Sequence, residues 1–302
     1  MAVLVTGASG FVGRAFTPKL LAQGHTVYAL SRHPPIGSDN LIPLVGDITE
    51  PNLGLGSVPK DIEAVHHIAG SHSLGADRDG SIHKTNVEGT RNVVAFCSRN
   101  DIPRLYYTST AYTQGINAYE KSKAGGEALV TTSDIPKVTI FKPSIIMGTD
   151  ENPYPGHFSV FASLVIRIHR RAEKIRRKVE TTLRLPVIEP VFRIKGNPEG
   201  KLNLVSIDDV TEAMLRLDRF PVYWLTNPNP PTLGQLIAWI SDFVMTNTKI
   251  VPQFKPTPLE MQFRKMASAF GPYLQGDDFP SDLQDCRPIT REFIHATIRR
   301  IL

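Results

Sequence analysis

Two stretches of the chain carry residue types able to do chemistry. The first, "VTGASGFVG" near the start, places Gly7, Gly10 and Gly13 after an apolar run and ahead of a helical pattern. Glycine at such positions permits a tight turn, lets backbone N–H groups approach a pyrophosphate, and lets the helix pack against the strand, so that the helix N-terminus faces the anion. The spacing is G-x-x-G-x-x-G rather than G-x-G-x-x-G. A lone match describes any Gly-rich turn of a βα unit, but its place between strand and helix favours a dinucleotide site. The second stretch, Tyr106 to Lys123, reads "YYTSTAYTQGINAYEKSK" and packs four tyrosines, a run of hydroxyls and two lysines into a short span. Such a set is either a polar surface around a loop or an acid–base site. By itself it leaves open which tyrosine acts.

Further residues bear on the cofactor. A site that prefers NAD carries an acid about 20 residues past the glycines. Here that place reads "LSRHP", Ser31-Arg32-His33, without a carboxylate. Arg32 suits a 2′-phosphate, with Arg14 assisting, so NADP is expected over NAD; the bland reading makes both arginines solvated surface residues. "GDITEP" puts Asp47 after the third strand, where a carboxylate accepts from the adenine amino group, and "HIAG" puts Ala69 and Gly70 where backbone must pass close to the cofactor. His66 and His67 read as strand residues, because no partner with metal-ligand spacing accompanies them. No metal is expected.

The elements that must position these residues alternate. "AVLVTG" (2–7), "TVYALSR" (26–32), "AVHHIAG" (64–70), "RLYYTST" (104–110) and "VTIFKPS" (138–144) read as strands. "FTPKLLAQG" (16–24), "NVEGTRNVVAFCSRN" (86–100) and "AYEKSKAGGEALV" (118–130) read as helices between them. Strand–helix alternation with short Gly-bearing links implies right-handed βαβ units and a parallel sheet covered on both faces. After Pro143 the texture changes to the Pro/Gly cluster "DENPYPG", a basic amphipathic segment, the strand–helix pattern "LNLVSIDDVTEAML" (202–215), and a helix capped by Thr232. The expected organisation is a nucleotide-binding domain over 1–150, continued by about 202–222, with a smaller substrate domain over 151–201 and 223–302.

Composition narrows the class. The 302 residues, 41% hydrophobic and 21% charged, describe an ordinary globular chain with room for a large core. Cys97 and Cys286 form no framework of disulfides or zinc ligands. No secretory signal and no transmembrane segment is read, and the expected location is the cytoplasm. The net charge of +5 is local: Arg167–Lys178, "RIHRRAEKIRRK", holds seven Lys/Arg and one Glu, which leaves −1 for the rest of the chain. That pattern argues against general nucleic-acid binding.

Together "TGASGFVG", "GDIT", "HIAG", "NVEGTRNV", "TSTAY", "YEKSK", "KPSIIMG" and "VSIDDVTEAM" resemble the extended short-chain dehydrogenase/reductase superfamily over roughly the first 215 residues. "GDITEPNLGL" and "STAYTQG" resemble its fatty-acyl and thioester reductase branch most. The resemblance implies an α/β, Rossmann-type doubly wound parallel sheet, and a Tyr–Lys pair with a Ser/Thr. In this sequence Tyr119 and Lys123 are the only tyrosine and lysine four apart, which places them on one helix face. The lysine cation is expected to lower the phenol pKa, so that Tyr119 transfers a proton while Lys123 holds the nicotinamide ribose. Thr110 takes the place of the hydroxyl that bonds the substrate oxygen, with Ser109 the runner-up. The implied cofactor set is Gly7, Ser9, Gly10, Phe11, Val12, Gly13, Arg32, Asp47, Ile48, Ala69, Gly70, Lys123, Pro143 and Ile146. Two departures stand out. Thr110 and Tyr119 are only nine positions apart, where extended members carry a longer excursion, and Lys142 stands where the family commonly has Arg.

Residues 161–183 place Phe161, Leu164, Val165, Ile168, Ala172, Ile175, Val179 and Leu183 at helical spacing, opposite a cationic face. This helix reads as a lid or domain helix, or as a docking face for an acidic acyl-carrier protein, coenzyme A phosphates or an anionic membrane. A homodimer is a further partner expectation. The functional expectation is an NADP(H)-dependent oxidoreductase acting on a carbonyl, alcohol or acyl thioester. Its alternatives are an NAD-dependent nucleotide-sugar epimerase or dehydratase, and a non-catalytic NADP-binding sensor or scaffold.

Overall fold

A computed structural model describes residues 1–154, 156–184 and 191–300. They divide into two compact units. Met1–Ser144, Ile207–Thr226 and Pro280–Asp285 form the first; Ile145–Ser206, Asn227–Phe279 and the residues from Cys286 onward form the second.

The first unit is a seven-stranded, wholly parallel sheet. In chain order it contains β1 (Ala2–Thr6), α1 (Phe11–Ala22), β2 (Thr26–Ser31), β3 (Leu41–Val45), β4 (Ile62–His67) and α2 (Ser81–His83). A π turn (Lys84–Glu88), α3 (Gly89–Arg99), β5 (Arg104–Thr108), α4 (Ala118–Thr131) and β6 (Lys137–Pro143) follow. The later α6 (Ile207–Arg216) and β10 (Val222–Leu225) complete it, in the strand order β10-β6-β5-β4-β1-β2-β3. The order reverses between β1 and β4, and in such a sheet ligands bind outside the carboxyl ends of the strands at that reversal. β1 is buried along its whole length, as a central strand covered on both faces must be. Leu4, Leu30, Val65 and Leu105 pack with Val93, Phe96 and Cys97 of α3 into one core. α3 packs against α4, and α1 against α6.

The second unit holds β7 (Ile145–Met147) paired with β9 (Leu204–Ser206), and β8 (Phe192–Lys195) paired with β11 (Thr248–Val251). Its helices are α5 (Gly156–Leu183), α7 (Leu233–Val244), α8 (Pro258–Met266) and α9 (Arg291–Arg299). Thr232 caps α7 as the sequence suggested, in a reciprocal capping box with Gln235. α5 starts at Gly156, five residues before the expected 161, because Phe158 and Phe161 anchor its first turns in the core.

Candidate functional site

Chain direction at the end of β1 is set by Gly7. Its φ is +73°, and a Cβ there would lie 2.8 Å from both Cα and N of Ala69. Only glycine combines that backbone with such an approach. The Gly7 N–H donates to the Leu30 carbonyl at 2.9 Å, tying the turn to the end of β2. A Cβ on Gly13 would sit 2.2 Å from the Gly7 carbonyl oxygen, so this residue lets α1 begin directly under the turn. Gly10 is the N-cap of α1; it supplies no side-chain acceptor, and the first turn carries no acid. The positive end of the helix is therefore left to an outside anion, which fits a dinucleotide pyrophosphate. Ser9 and Gly10 are exposed around it, with Phe11 and Val12 half-buried.

Arg32 follows β2 directly, and Arg14 lies in the first turns of α1; both are exposed. The Asp47 carboxylate accepts the Thr49 N–H at 2.9 Å, and the buried Ile48 passes its carbonyl to Asn92 at 2.8 Å. These bonds hold the loop after β3 in a fixed shape.

The buried His67 links three elements. The Thr90 hydroxyl donates to the Asn86 carbonyl at 2.7 Å, so it accepts from His67 Nε2 at 3.1 Å. His67 Nδ1 is then the acceptor for the Thr6 hydroxyl at 2.8 Å, whose oxygen receives the Ala69 N–H at 3.3 Å. Burial pushes the His67 pKa down to about 3, and the Lys123 ammonium adds to the effect. The neutral Nε2–H tautomer follows from this chain. Asn86 continues it, binding both the N–H and the carbonyl of Ser71 and, through Nδ2, the Ser122 hydroxyl of α4 at 2.8 Å. The string "HIAG" gave no sign of this clamp.

Asn117 caps α4 by accepting the Glu120 N–H at 2.9 Å. Tyr119 and Lys123 lie one turn apart on that helix. The Thr110 hydroxyl receives the Tyr112 N–H at 3.2 Å, donates to the Pro143 carbonyl at 3.4 Å, and stands close enough to the Tyr119 phenol to act on its pKa. Lys123 Nζ donates to the Thr108 carbonyl at 2.6 Å and stands 4.6 Å above the Tyr107 ring. One expectation is corrected here: the Tyr119 pKa is pushed up to about 12, not down. Burial outweighs the Thr110 hydrogen bond, while Glu120 adds its own negative field. Lys123 is itself pushed down to about 8 by burial, with Glu127 acting in the opposite direction. A Cβ on Gly70 would lie 3.1 Å from Asn86 Oδ1 and 3.8 Å from Lys123 Nζ, so the end of β4 passes beside this lysine.

Ser109 is otherwise engaged. Its hydroxyl donates to Glu127, which also pairs with Lys142 at 2.9 Å. Lys142 further meets the Thr113 hydroxyl at 3.1 Å and the Trp224 ring at 4.8 Å. This cluster was not foreseen; the unusual Lys142 was its one sequence signal. Pro143 is buried at the end of β6, where its carbonyl accepts the Ala111 N–H at 2.8 Å. Ile146 belongs to the second unit, in β7 opposite Val205. Tyr106, Tyr107 and Tyr112 are buried, and Tyr106 stacks on His66 at 4.4 Å. Among the described residues no group of three His, Cys, Asp or Glu side chains is placed to hold a metal.

A sequence model described as the NAD dependent epimerase/dehydratase family matches residues 3–220. The chain belongs to that family. It is similar to the 2-alkyl-3-oxoalkanoate reductase of Stenotrophomonas maltophilia, 38% identical over 112 residues that make up 36% of this chain and 33% of that protein. It is also similar to a Synechocystis protein described as a dihydroflavonol 4-reductase, 30% identical over 55% of this chain and 54% of that one. The matches thus span about a third to a half of these curated relatives. Among solved structures, the Bordetella bronchiseptica enzyme WbmH in complex with NAD+ superposes with a TM-score of 0.63 at 16% identity, covering 99% of this chain and 97% of that one. The fold is shared with that enzyme and with a solved short-chain dehydrogenase/reductase superfamily protein from Agrobacterium tumefaciens with bound NAD.

Proposed function

We propose that the chain is an NADP(H)-dependent reductase of a ketone-type carbonyl, with Tyr119, Lys123 and Thr110 at the reacting end. The observation that carries this reading is a Tyr119 phenol whose pKa responds to the Thr110 hydroxyl, one helical turn from a buried Lys123. A bound nicotinamide nucleotide supplies the hydride. Tyr119, with its pKa pushed up to about 12, stays protonated at neutral pH and can pass its phenolic proton to the carbonyl oxygen as the carbon is reduced. Thr110 donates to the same oxygen and stabilises charge as it develops. Lys123 is held by the Thr108 carbonyl, with its remaining donors left for the nicotinamide ribose. Gly7, Ser9, Gly10, Phe11, Val12 and Gly13 cradle the pyrophosphate, and Asp47, Ile48, Ala69 and Gly70 border the adenosine and nicotinamide ends. Pro143 completes the nicotinamide border. Arg32, exposed directly after β2 where NAD sites carry an acid, supports NADP, with Arg14 exposed in the first turns of α1. The two reductase relatives, both described by ketone-bearing substrates or products, support the reaction class.

A panel of ketones, 3-oxo acids, aldehydes and acyl thioesters, each with NADPH or NADH, tests this reading. Turnover of NADPH by a ketone or 3-oxo compound supports it. Protein that purifies with retained NAD and oxidises neither nucleotide on any member of the panel points to epimerase or dehydratase chemistry. Tight NADPH binding without any turnover points to a sensor. Turnover confined to the thioesters moves the substrate class to the acyl-thioester branch.

A further inference from the structure

α5 changes character along its length. Up to Ile168 its apolar residues are buried, with Phe161 meeting Phe263 and Phe270 edge-on. Beyond Ile168 none of its residues is buried, yet the apolar stripe continues. Ile175 is 52%, Val179 38% and Leu183 59% exposed, one below another at four-residue spacing. At 1.5 Å per residue this uncovered stripe runs for about 12 Å.

The charges around the stripe are one-sided. Glu173 and Glu180 are consumed within the helix, both by Arg176 at 2.6 Å, and Glu173 also by Arg177 at 2.9 Å. Arg167, Arg170, Arg171, Lys174, Lys178 and Arg184 are exposed and make no ion pair among the described residues. With about 100° per residue, Arg171 and Lys178 lie within about 60° of Ile175 and border the stripe along one edge. The other cations continue round the same side.

We propose that this half of α5 is an interfacial helix that docks on an anionic lipid surface. Ile175, Val179 and Leu183 would enter the headgroup boundary, while Arg171 and Lys178 lie along anionic headgroups. A second copy of this chain fits poorly, because two such cationic faces repel. A protein groove fits less well than lipid, because the stripe carries none of the Trp, Tyr or Met anchors on which protein hot spots rely. No described helix is long and apolar enough to cross a membrane, so the association is peripheral. Three aliphatic side chains with two flanking cations make it weak and reversible.

The test is co-sedimentation of the full chain with phosphatidylcholine vesicles, with and without 20 mol% phosphatidylglycerol, at low salt. Binding is expected only to the anionic vesicles and should be lost as salt is raised. At about 1 kcal/mol per cation near the surface, Arg171→Gln with Lys178→Gln should weaken partitioning about 25-fold. Ile175→Ser with Val179→Ser should weaken it at least five-fold at unchanged charge. Lys60→Gln with Lys249→Gln, at exposed lysines elsewhere, should change it less than two-fold. All these positions are at the surface, so circular dichroism should be unchanged. The inference is overturned if the wild-type chain does not sediment with anionic vesicles. It is equally overturned if the control pair weakens binding as much as the helix pair, or if the serine pair has no effect.

Discussion

Replacing Gly126 by alanine adds a Cβ 2.2 Å from the Tyr107 hydroxyl oxygen, 2.9 Å from its Cζ and 3.3 Å from the Asn86 carbonyl. An ordinary contact begins near about 3.4 Å, so α4 must lift by about 1 Å or the buried Tyr107 ring must shift; overpacking on this scale costs about 1–3 kcal/mol. Alanine returns about 1 kcal/mol in helix preference over glycine, so the net loss should be about 1 kcal/mol. Tyr107→Phe removes the atom in the closest clash and leaves the milder one with Cζ. In that background Gly126→Ala should be close to neutral, which makes the coupling between the two positions about 1 kcal/mol. Urea denaturation followed by circular dichroism on the four proteins of the cycle reads this directly. NADPH affinity should follow the same order, because Lys123 stands over the Tyr107 ring one turn before Gly126. Additive effects, or an alanine that stabilises the wild-type background, would refute the account of how α4 is seated on β5.

Two other outcomes follow from the site. Burial pushes the pKa of both His66 and His67 down to about 3, so between that value and about 6.5 the unfolded chain binds protons that the folded chain refuses. Stability should therefore be full above pH 6.5 and fall as the pH drops, by about 2–3 kcal/mol per histidine at pH 4.5. Urea midpoints against pH measure this, and His66→Phe, which keeps a ring against Tyr106, should halve the slope; a flat profile would contradict it. For the cofactor, Arg32→Ala should weaken NADPH binding about 10- to 100-fold, as loss of a charge-assisted contact to phosphate does. NADH binding should stay within about two-fold, and equal losses for both nucleotides in fluorescence titrations would remove Arg32 from the 2′ position.

The parts of this fold that were legible in the sequence are those whose pattern is set by burial on both faces. β1, β2, β4, β5 and β6 read as near-continuous apolar runs because central parallel strands must. β3 was missed as an explicit strand: "LIPLV" carries Pro43 and an exposed Val45, a residue mix that only an edge strand tolerates. β10, β8 and β11 have four residues each, too few to show a period. Local geometry at the candidate site followed from spacing where one helix carries both residues, as for Tyr119 and Lys123. What spacing cannot carry is the balance of burial against charge. The expected lowering of the Tyr119 pKa failed because desolvation dominates, and the Lys123 ammonium is turned to the Thr108 carbonyl. The Glu127–Lys142–Ser109 cluster and the Thr6–His67–Thr90 chain join residues from 15 to 61 positions apart, so no local motif announces them.

The central claim is that Tyr119 transfers the proton to a carbonyl held against a nicotinamide nucleotide. Its most direct measurement compares NADPH oxidation by the wild-type chain and by Tyr119→Phe on the compound that the panel identifies, both saturated with NADPH. The account predicts a kcat lowered by about 10²–10⁴-fold with NADPH affinity unchanged, as loss of a general acid does. A Tyr119→Phe protein that turns over within about three-fold of wild type would contradict it.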